Sequence, residues 1–326
     1  MLRNYLVTAL AGILGCGLWL AAGVVAAEPT PSSSTTVQGA PSDSTEVSGI
    51  VVQAHKSKTD KAFEAAVGKL VHDLGRPGPI GQIARWREPI CPRVMGLTQS
   101  FDDFVSQRIG DDASEVGAPH SQTCHDFNVL VVFTTEPQKL MADVRDHHPA
   151  LLGYHFSGET KALATFQGPM ESWYVTATSI KTGIKDYRTA RQVDVAYAPG
   201  PPTGTGSHIP PELVSEFALE LVVIDANPLD GQEIGPVADK IAMLVLSKPA
   251  ERETRGECSP LPSVMDVLDP KCPSAKSIDG LTSYDKAFLK GLYSYQGNEL
   301  RAFERAKIAE RIVQETGDAP QTPAGQ

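Results

Sequence analysis

The chain lacks the short motifs that identify the common nucleotide-dependent and hydrolytic enzymes. It has no P-loop and no G-x-G-x-x-G segment, and its 204–208 stretch is not the G-x-S-x-G nucleophile elbow of hydrolases. Its eight histidines never fall four residues apart, so no helix can present two imidazoles on one face to a metal. These absences leave no enzyme class that a local motif supports.

Cysteine is scarce, and the absence of any C-x-x-C disfavours a four-cysteine zinc site. Removal of the signal peptide predicted below leaves four cysteines: Cys91, Cys124, Cys258 and Cys272. An even number of cysteines in an exported protein indicates disulfides. Of the three pairings, we favour Cys91–Cys124 and Cys258–Cys272, because each pair then lies within one half of the chain. Each bridge is expected to stabilise the fold by about 3 to 4 kcal/mol on the chain-entropy model.

The first residues have the pattern of an export signal. Arg3 is followed by an uncharged run through residue 27, and Val25-Ala26-Ala27 fits a small-residue cleavage site. We predict a signal peptide over 1–27 and a periplasmic or secreted protein. An uncleaved anchor is the alternative, since the run is long enough to span a bilayer. Lipidation at Cys16 is disfavoured by the apolar residues that follow it.

Basic residues are outnumbered, with 29 Lys and Arg against 39 Asp and Glu and a net charge of -10. Signal cleavage removes Arg3 and no acid, which takes the charge from -10 to -11. An acidic chain repels phosphate backbones and anionic lipid. We therefore expect no nucleic-acid partner, and membrane contact only through an uncleaved N-terminal segment.

Large apolar side chains are few at both ends of the mature chain. Residues 28–58 are rich in Pro, Ser and Thr and predict a disordered linker, and residues 316–326 predict a disordered tail. Residues 59–315 are then a single globular domain. Helical and strand patterns interleave in it without regular alternation, so we expect an α+β fold with a mixed sheet.

Hydrophobic periodicity predicts helices near 59–74 and 233–247 and strands at 128–134, 172–180 and 217–225. The last of these strands is expected at a sheet edge. Thr282 and Asp285 have the spacing of a capping box at the start of another helix.

Two groups of motifs remain. The first is Trp86-Arg-Glu-Pro-Ile90 followed by an apolar strand at 128–133; the second is Ser263-Val264-Met265 followed by the 281–293 pattern L-T-x-x-D-x-x-x-L-x-x-L-Y. Together they resemble an uncharacterised family of exported Gram-negative proteins and, more distantly, the metzincin-type zinc peptidases. The resemblance spans about 84–296 and implies a zincin-like core.

The same resemblance implies that the metal site is degenerate. It places the H-E-x-x-H motif at 238–242, where this chain has Ala238 and Ala242 at the ligand positions and Asp239 at that of the general base. Met265 matches the methionine beneath the zinc. Alanine cannot bind zinc, which needs three protein ligands and an open water position. The implied site therefore has no catalytic residue, metal or cofactor, and an ordinary buried helix explains the segment equally well.

The function expected from these features is non-catalytic. A zincin-like protein of the cell envelope or secreted space would bind a peptide, protein or glycan in a groove between the 217–225 strand and the 233–247 helix, for a peptide by strand addition. The alternatives are an active metal-dependent hydrolase that takes its ligands from the scattered histidines, and a purely structural envelope component.

Overall fold

A mixed sheet with helices on both faces forms the part of the chain that the computed structural model describes, residues 58–78, 80–124, 126–153, 157–180, 185–186, 213–250, 258–294 and 301–317. The predicted signal peptide, almost all of the linker and most of the tail lie outside these residues, as do His55, His125, His155 and His208. The described residues all belong to one unit of the chain, 55–326.

The described elements comprise seven α-helices and five strands, which confirms the expected α+β class. The strands are β1 (Pro92–Met95), β2 (Val129–Thr134), β3 (Met170–Ile180), β4 (Lys185–Asp186) and β5 (Leu213–Asp225). The helices are α1 (Lys58–Leu74), α2 (Gln99–Val116), α3 (Pro137–His147), α4 (Ser157–Leu163), α5 (Ile234–Leu246), α6 (Ser283–Ser294) and α7 (Arg301–Thr316). None of the described helices combines the length and the hydropathy that a bilayer-spanning segment requires.

Strand β5 lies in the middle of the sheet, whose order is β1-β2-β5-β3-β4. It pairs in parallel with β2 and antiparallel with β3. In the part of β5 that precedes its pairing with β2, Glu216 forms a bridge with Arg85, and the Phe217 N–H donates to the Arg85 carbonyl at 3.1 Å. The prediction that 217–225 is an edge strand is therefore wrong. The run 221–224 is continuously apolar because it is covered on both faces, as in the interior of a sheet.

The two faces of the sheet bury separate hydrophobic cores. Val222 and Ile224 point into a large core shared with α1, α2, α5, α6 and α7, whereas Leu221 and Val223 point into a smaller one with α3. This alternation follows from the two-residue period of a strand. Helix α5 follows β5 directly and lies in the large core, which places it at the centre of the molecule.

Both predicted disulfide pairs are formed. Cys91 bonds to Cys124 and Cys258 bonds to Cys272, each with Cα atoms 5.5 Å apart. The first bridge joins the start of β1 to the loop before β2, and the second closes the segment that follows α5. Disulfides form and persist in oxidising environments, so the two bridges agree with a protein that works outside the cytosol.

Candidate functional site around helix α5

Helix α5 is enclosed along most of its length. Every residue from Val237 to Leu246 is buried, and Ala238 and Ala242 are 0% exposed within the large core. The positions that the resemblance assigns to zinc ligands therefore face packed side chains. The expected groove between β5 and this helix is absent from the described part of the chain, because the strand is internal and the helix is covered.

Met265 lies in the same core as the two alanines and is 5% exposed. It belongs to a 3₁₀ turn, Val264–Asp266, in which the Met265 N–H donates to the Ser263 hydroxyl at 3.2 Å. The Lys240 ammonium on α5 donates to the Val267 carbonyl at 2.5 Å and ties the turn to the helix. Met265 is thus an apolar filler beside α5.

Asp239 is fully buried and held by a neighbouring helix. Both its carboxylate oxygens accept from the Arg108 guanidinium of α2, in a fork whose Nη2–Oδ2 distance is 2.9 Å. Oδ2 also accepts from the Leu281 N–H at 3.1 Å, and a Cβ at Gly280 would overlap it. A bidentate pair of this kind is geometrically demanding. The residue in the place of the general base is therefore committed to joining α2, α5 and the 280–281 loop.

A second aspartate completes this cluster. Asp112 lies one turn after Arg108 on α2, and its Oδ1 atom is 3.9 Å from the Arg108 Nε atom, which also donates to Asp239 Oδ1. Desolvation, followed by the charge of Asp239, raises the pKa of Asp112 to about 7, although Arg108 opposes the shift. Two buried carboxyl groups therefore lie against one guanidinium. The sequence gives no sign of this contact, because Asp239 is far from Arg108 and Asp112 along the chain.

The other end of α5 is capped by neutral donors from three different elements. Trp86 Nε1 donates to the Val245 carbonyl at 2.6 Å, the Tyr293 hydroxyl to that of Leu246 at 2.9 Å, and the Tyr174 hydroxyl to that of Leu244 at 3.3 Å. The last carbonyls of a helix have no intrahelical partner, and burying them unpaired is costly. This cap explains why aromatic residues with a polar atom surround the end of α5.

Asp285 anchors the 263–266 turn to α6. It accepts from the Ser263 hydroxyl at 2.6 Å and the Val264 N–H at 2.8 Å, while Thr282 and Asp285 exchange the two bonds of the predicted capping box. Burial raises the pKa of this carboxyl, and the hydrogen bonds that it accepts lower it. The capping pattern was visible in the sequence, but the long-range bonds to the turn were not.

A buried ionic group near the cap was missed by sequence reasoning. Arg85 pairs with Glu304 of α7, whose other oxygen accepts from the Ile83 N–H at 2.9 Å. Nearby, Glu220 on β5 is fully buried, and neither of its carboxyl oxygens has a hydrogen-bond partner among the described residues. Burial raises the pKa of Glu220 well above its ordinary value. An acid inside an apolar strand pattern was the signal that could have revealed it.

The histidines of the described segments do not assemble a metal site. His72 is on α1, His120 bridges to Ile90, and His147 and His148 end α3, where His147 is 2.9 Å from Asp143. Within the described ranges, no three His, Cys, Asp or Glu side chains are grouped so that they could hold a metal ion.

Two shallow grooves of about 510 and 480 Å³ flank α6 and α7 and share Ser294, Arg311 and Glu315. Their charged groups are partly paired with one another, since Arg311 binds both the Glu315 carboxylate and the Ser294 hydroxyl. Such a surface offers few groups that could fix the orientation of a small ligand.

The arrangement defines a disulfide-bonded α+β protein whose central helix is tied to its neighbours by polar bonds at both ends. Comparison with protein families, with curated proteins and with solved structures found no match.

Proposed function

We propose that the chain is an exported, non-catalytic binding protein with a degenerate zincin-like core, acting in the periplasm or after secretion. One observation carries the proposal: the two ligand positions on α5 are alanines inside the core, and Asp239 between them is bound by Arg108. A general base must reach a water or substrate proton. A fully buried carboxylate whose two oxygens both accept from an arginine is poorly placed for that role.

The partner that fits best is an extended peptide, added to the sheet at the outer edge of β3. Strand β4 already pairs antiparallel with this edge at Thr178 and Ser179. Between Met170 and Ala177, no described strand pairs with it. A sheet edge binds an added strand through the same ladder of main-chain hydrogen bonds that joins neighbouring strands. The edge also adjoins α5, because Tyr174 of β3 caps that helix.

The register of β3 identifies the main-chain groups that face outward. The Asp225 N–H donates to the Pro169 carbonyl at 2.9 Å, so residues 169 and 225 form a hydrogen-bonded pair. Because antiparallel pairs alternate, Glu171 directs its N–H toward β5, whereas Ser172 and Tyr174 direct theirs outward. This alternation continues up to the irregularity between Val175 and Thr176.

A pair of proline substitutions tests the proposed edge. Ser172→Pro removes an outward N–H and is tolerated at an edge, whereas Glu171→Pro removes a bond to β5 and destabilises the sheet. Linear peptides selected from a display library against the wild-type protein should bind Ser172→Ala normally and Ser172→Pro at least tenfold more weakly. The proposal fails if no peptide is selected or if Ser172→Pro binds as tightly as Ser172→Ala. It also fails if Ser172→Pro unfolds as readily as Glu171→Pro, since the outward N–H would then be used within the protein.

Metal analysis separates this proposal from an active hydrolase. The purified exported protein should hold no stoichiometric zinc and should hydrolyse none of the selected peptides. Stoichiometric zinc that is lost together with peptidase activity on substitution of histidines such as His120 or His208 by alanine would contradict the non-catalytic function.

A further inference from the structure

The cluster between α2 and α5 contains more acid than base. Asp112 and Asp239 both lie against the Arg108 guanidinium, whose Nε atom is 3.9 Å from Asp112 Oδ1 and donates to Asp239 Oδ1, while its Nη2 atom donates to Asp239 Oδ2. Asp239 is 0% exposed and Asp112 is 4% exposed. The Asp112 Oδ2 atom has no hydrogen-bond partner among the described residues. Full ionisation would leave an excess negative charge inside a helix interface, where solvent screens it weakly.

Among the described residues around this cluster, Arg108 is the cation that both Asp112 and Asp239 approach. From its own helix, Asp112 faces Arg108 and the acidic Glu115, and Asp111 acts on Arg108. From α6, Lys286 reaches the region through an ion pair of 2.9 Å with Glu115. The 280–281 loop contributes the Leu281 N–H, which Asp239 accepts. A proton on Asp112 is the simplest way to balance the charge.

We propose that the contact between α2 and α5 is a proton-controlled latch, closed while Asp112 is protonated and weakened when Asp112 is ionised. Opening would free the apolar face of α2, which comprises Val105, Ile109, Ala113 and Val116. An exported protein meets the pH of its surroundings directly. The pH of the medium would therefore change how strongly α2 is bound to α5.

The direction of the effect follows from the two states of Asp112. Its pKa is about 7 in the closed state and close to the ordinary 3.8 once α2 is exposed to water. The closed state therefore binds the proton more tightly. Its advantage is greatest in acid, declines as pH rises from about 4 to about 7, and is constant above that range because both states are then ionised.

Hydrogen exchange of α2, measured on the intact mature protein from pH 5 to 8.5, tests the latch. Protection factors, corrected for the intrinsic rate at each pH, should fall with pH up to about 7, by at most about tenfold per unit, and then level off. Helix α3 packs on the opposite face of the sheet and serves as the internal reference. A flat α2 profile in the wild type would overturn the proposal, as would α2 and α3 changing in parallel, which would indicate global unfolding.

Two neighbouring substitutions sharpen the test. Asp112→Asn is uncharged at every pH, so α2 should remain as protected at pH 8 as the wild type is at pH 5. Asp111→Asn changes an exposed acid on the same helix and should retain the wild-type profile. If Asp112→Asn still loses protection between pH 5 and 7, or if Asp111→Asn flattens the profile equally, then Asp112 is not the titrating group. The comparison of α2 with α3 in the wild type remains decisive if a variant folds poorly.

Discussion

The two halves of α5 are held by different chemistry. In the first half, Asp239 is bound by Arg108 and accompanied by Asp112, so the contact depends on charge and on a proton. At its end, the carbonyls of the last turn accept from Trp86 and Tyr293, which are neutral donors. Burial raises the pKa of Tyr293, so that end does not titrate near neutrality. The same helix thus has one contact that responds to pH and one contact that does not.

The largest loss of stability is expected at the two alanines on either side of Asp239. Ala238→His together with Ala242→His should destabilise the fold by about 4 kcal/mol or more, because two imidazoles would overpack a full core and bury polar atoms. Urea unfolding with and without zinc measures the loss. The exposed pair Asp103→His and Gln107→His on α2 is the control, with the same spacing and little expected cost. A stable double α5 variant with gained zinc affinity would mean that α5 faces an open groove.

The next largest loss of stability is expected at the 263–266 turn, which packs beside α5. Met265→Ala should lower the free energy of unfolding by about 2 to 5 kcal/mol, since it leaves a cavity against α5. Phe303, which is 62% exposed, is the matched control, and Phe303→Ala should change stability by about 0.5 kcal/mol or less. Equal effects in denaturant titrations of the two variants would contradict the buried position of Met265.

A smaller effect isolates the neutral end. Tyr293→Phe leaves the Leu246 carbonyl without its donor and should cost about 1 to 3 kcal/mol, by the same amount at pH 5.5 and at pH 8. Tyr174→Phe should cost less, because its bond to the Leu244 carbonyl is 3.3 Å long and the residue is only half-buried. A cost for Tyr293→Phe that varies strongly with pH would show that the two ends are not chemically separate.

The smallest effect is expected from salt, which tests the charged contact between Arg108 and Asp239. Raising NaCl from 0.1 to 1 M should weaken the protection of α2 by less than about 1 kcal/mol, because the Arg108 side chain is 41% exposed and partly screened. The exchange of amides in the last turn of α5 should not follow this change. Equal salt responses at both ends would remove the contrast between them.

Several local features could be predicted because their causes lie close together along the chain. The capping box joins Thr282 and Asp285, which are three positions apart, and the apolar runs of β2 and β5 identified both segments as strands. The disulfide pairs followed from an even number of cysteines divided between two halves.

The position of β5 and the partners of Asp239 could not be predicted in this way. Whether a strand lies at an edge depends on which neighbours pair with it, and β5 gains β3 and β2 from segments far away in sequence. Arg108 and Asp239 are separated by 131 residues, and nothing in either segment indicates the other.

The amino-acid sequence alone determined the class of fold, the main helices and strands and the cysteine pairs, because periodicity, capping and loop closure act over short distances. Only the tertiary structure decided that α5 is buried and that its Asp239 is bound by an arginine of another helix. It also decided that Glu220 is buried without a hydrogen-bond partner among the described residues. Burial and ion pairing depend on which distant segments meet, and that is settled only when the core closes.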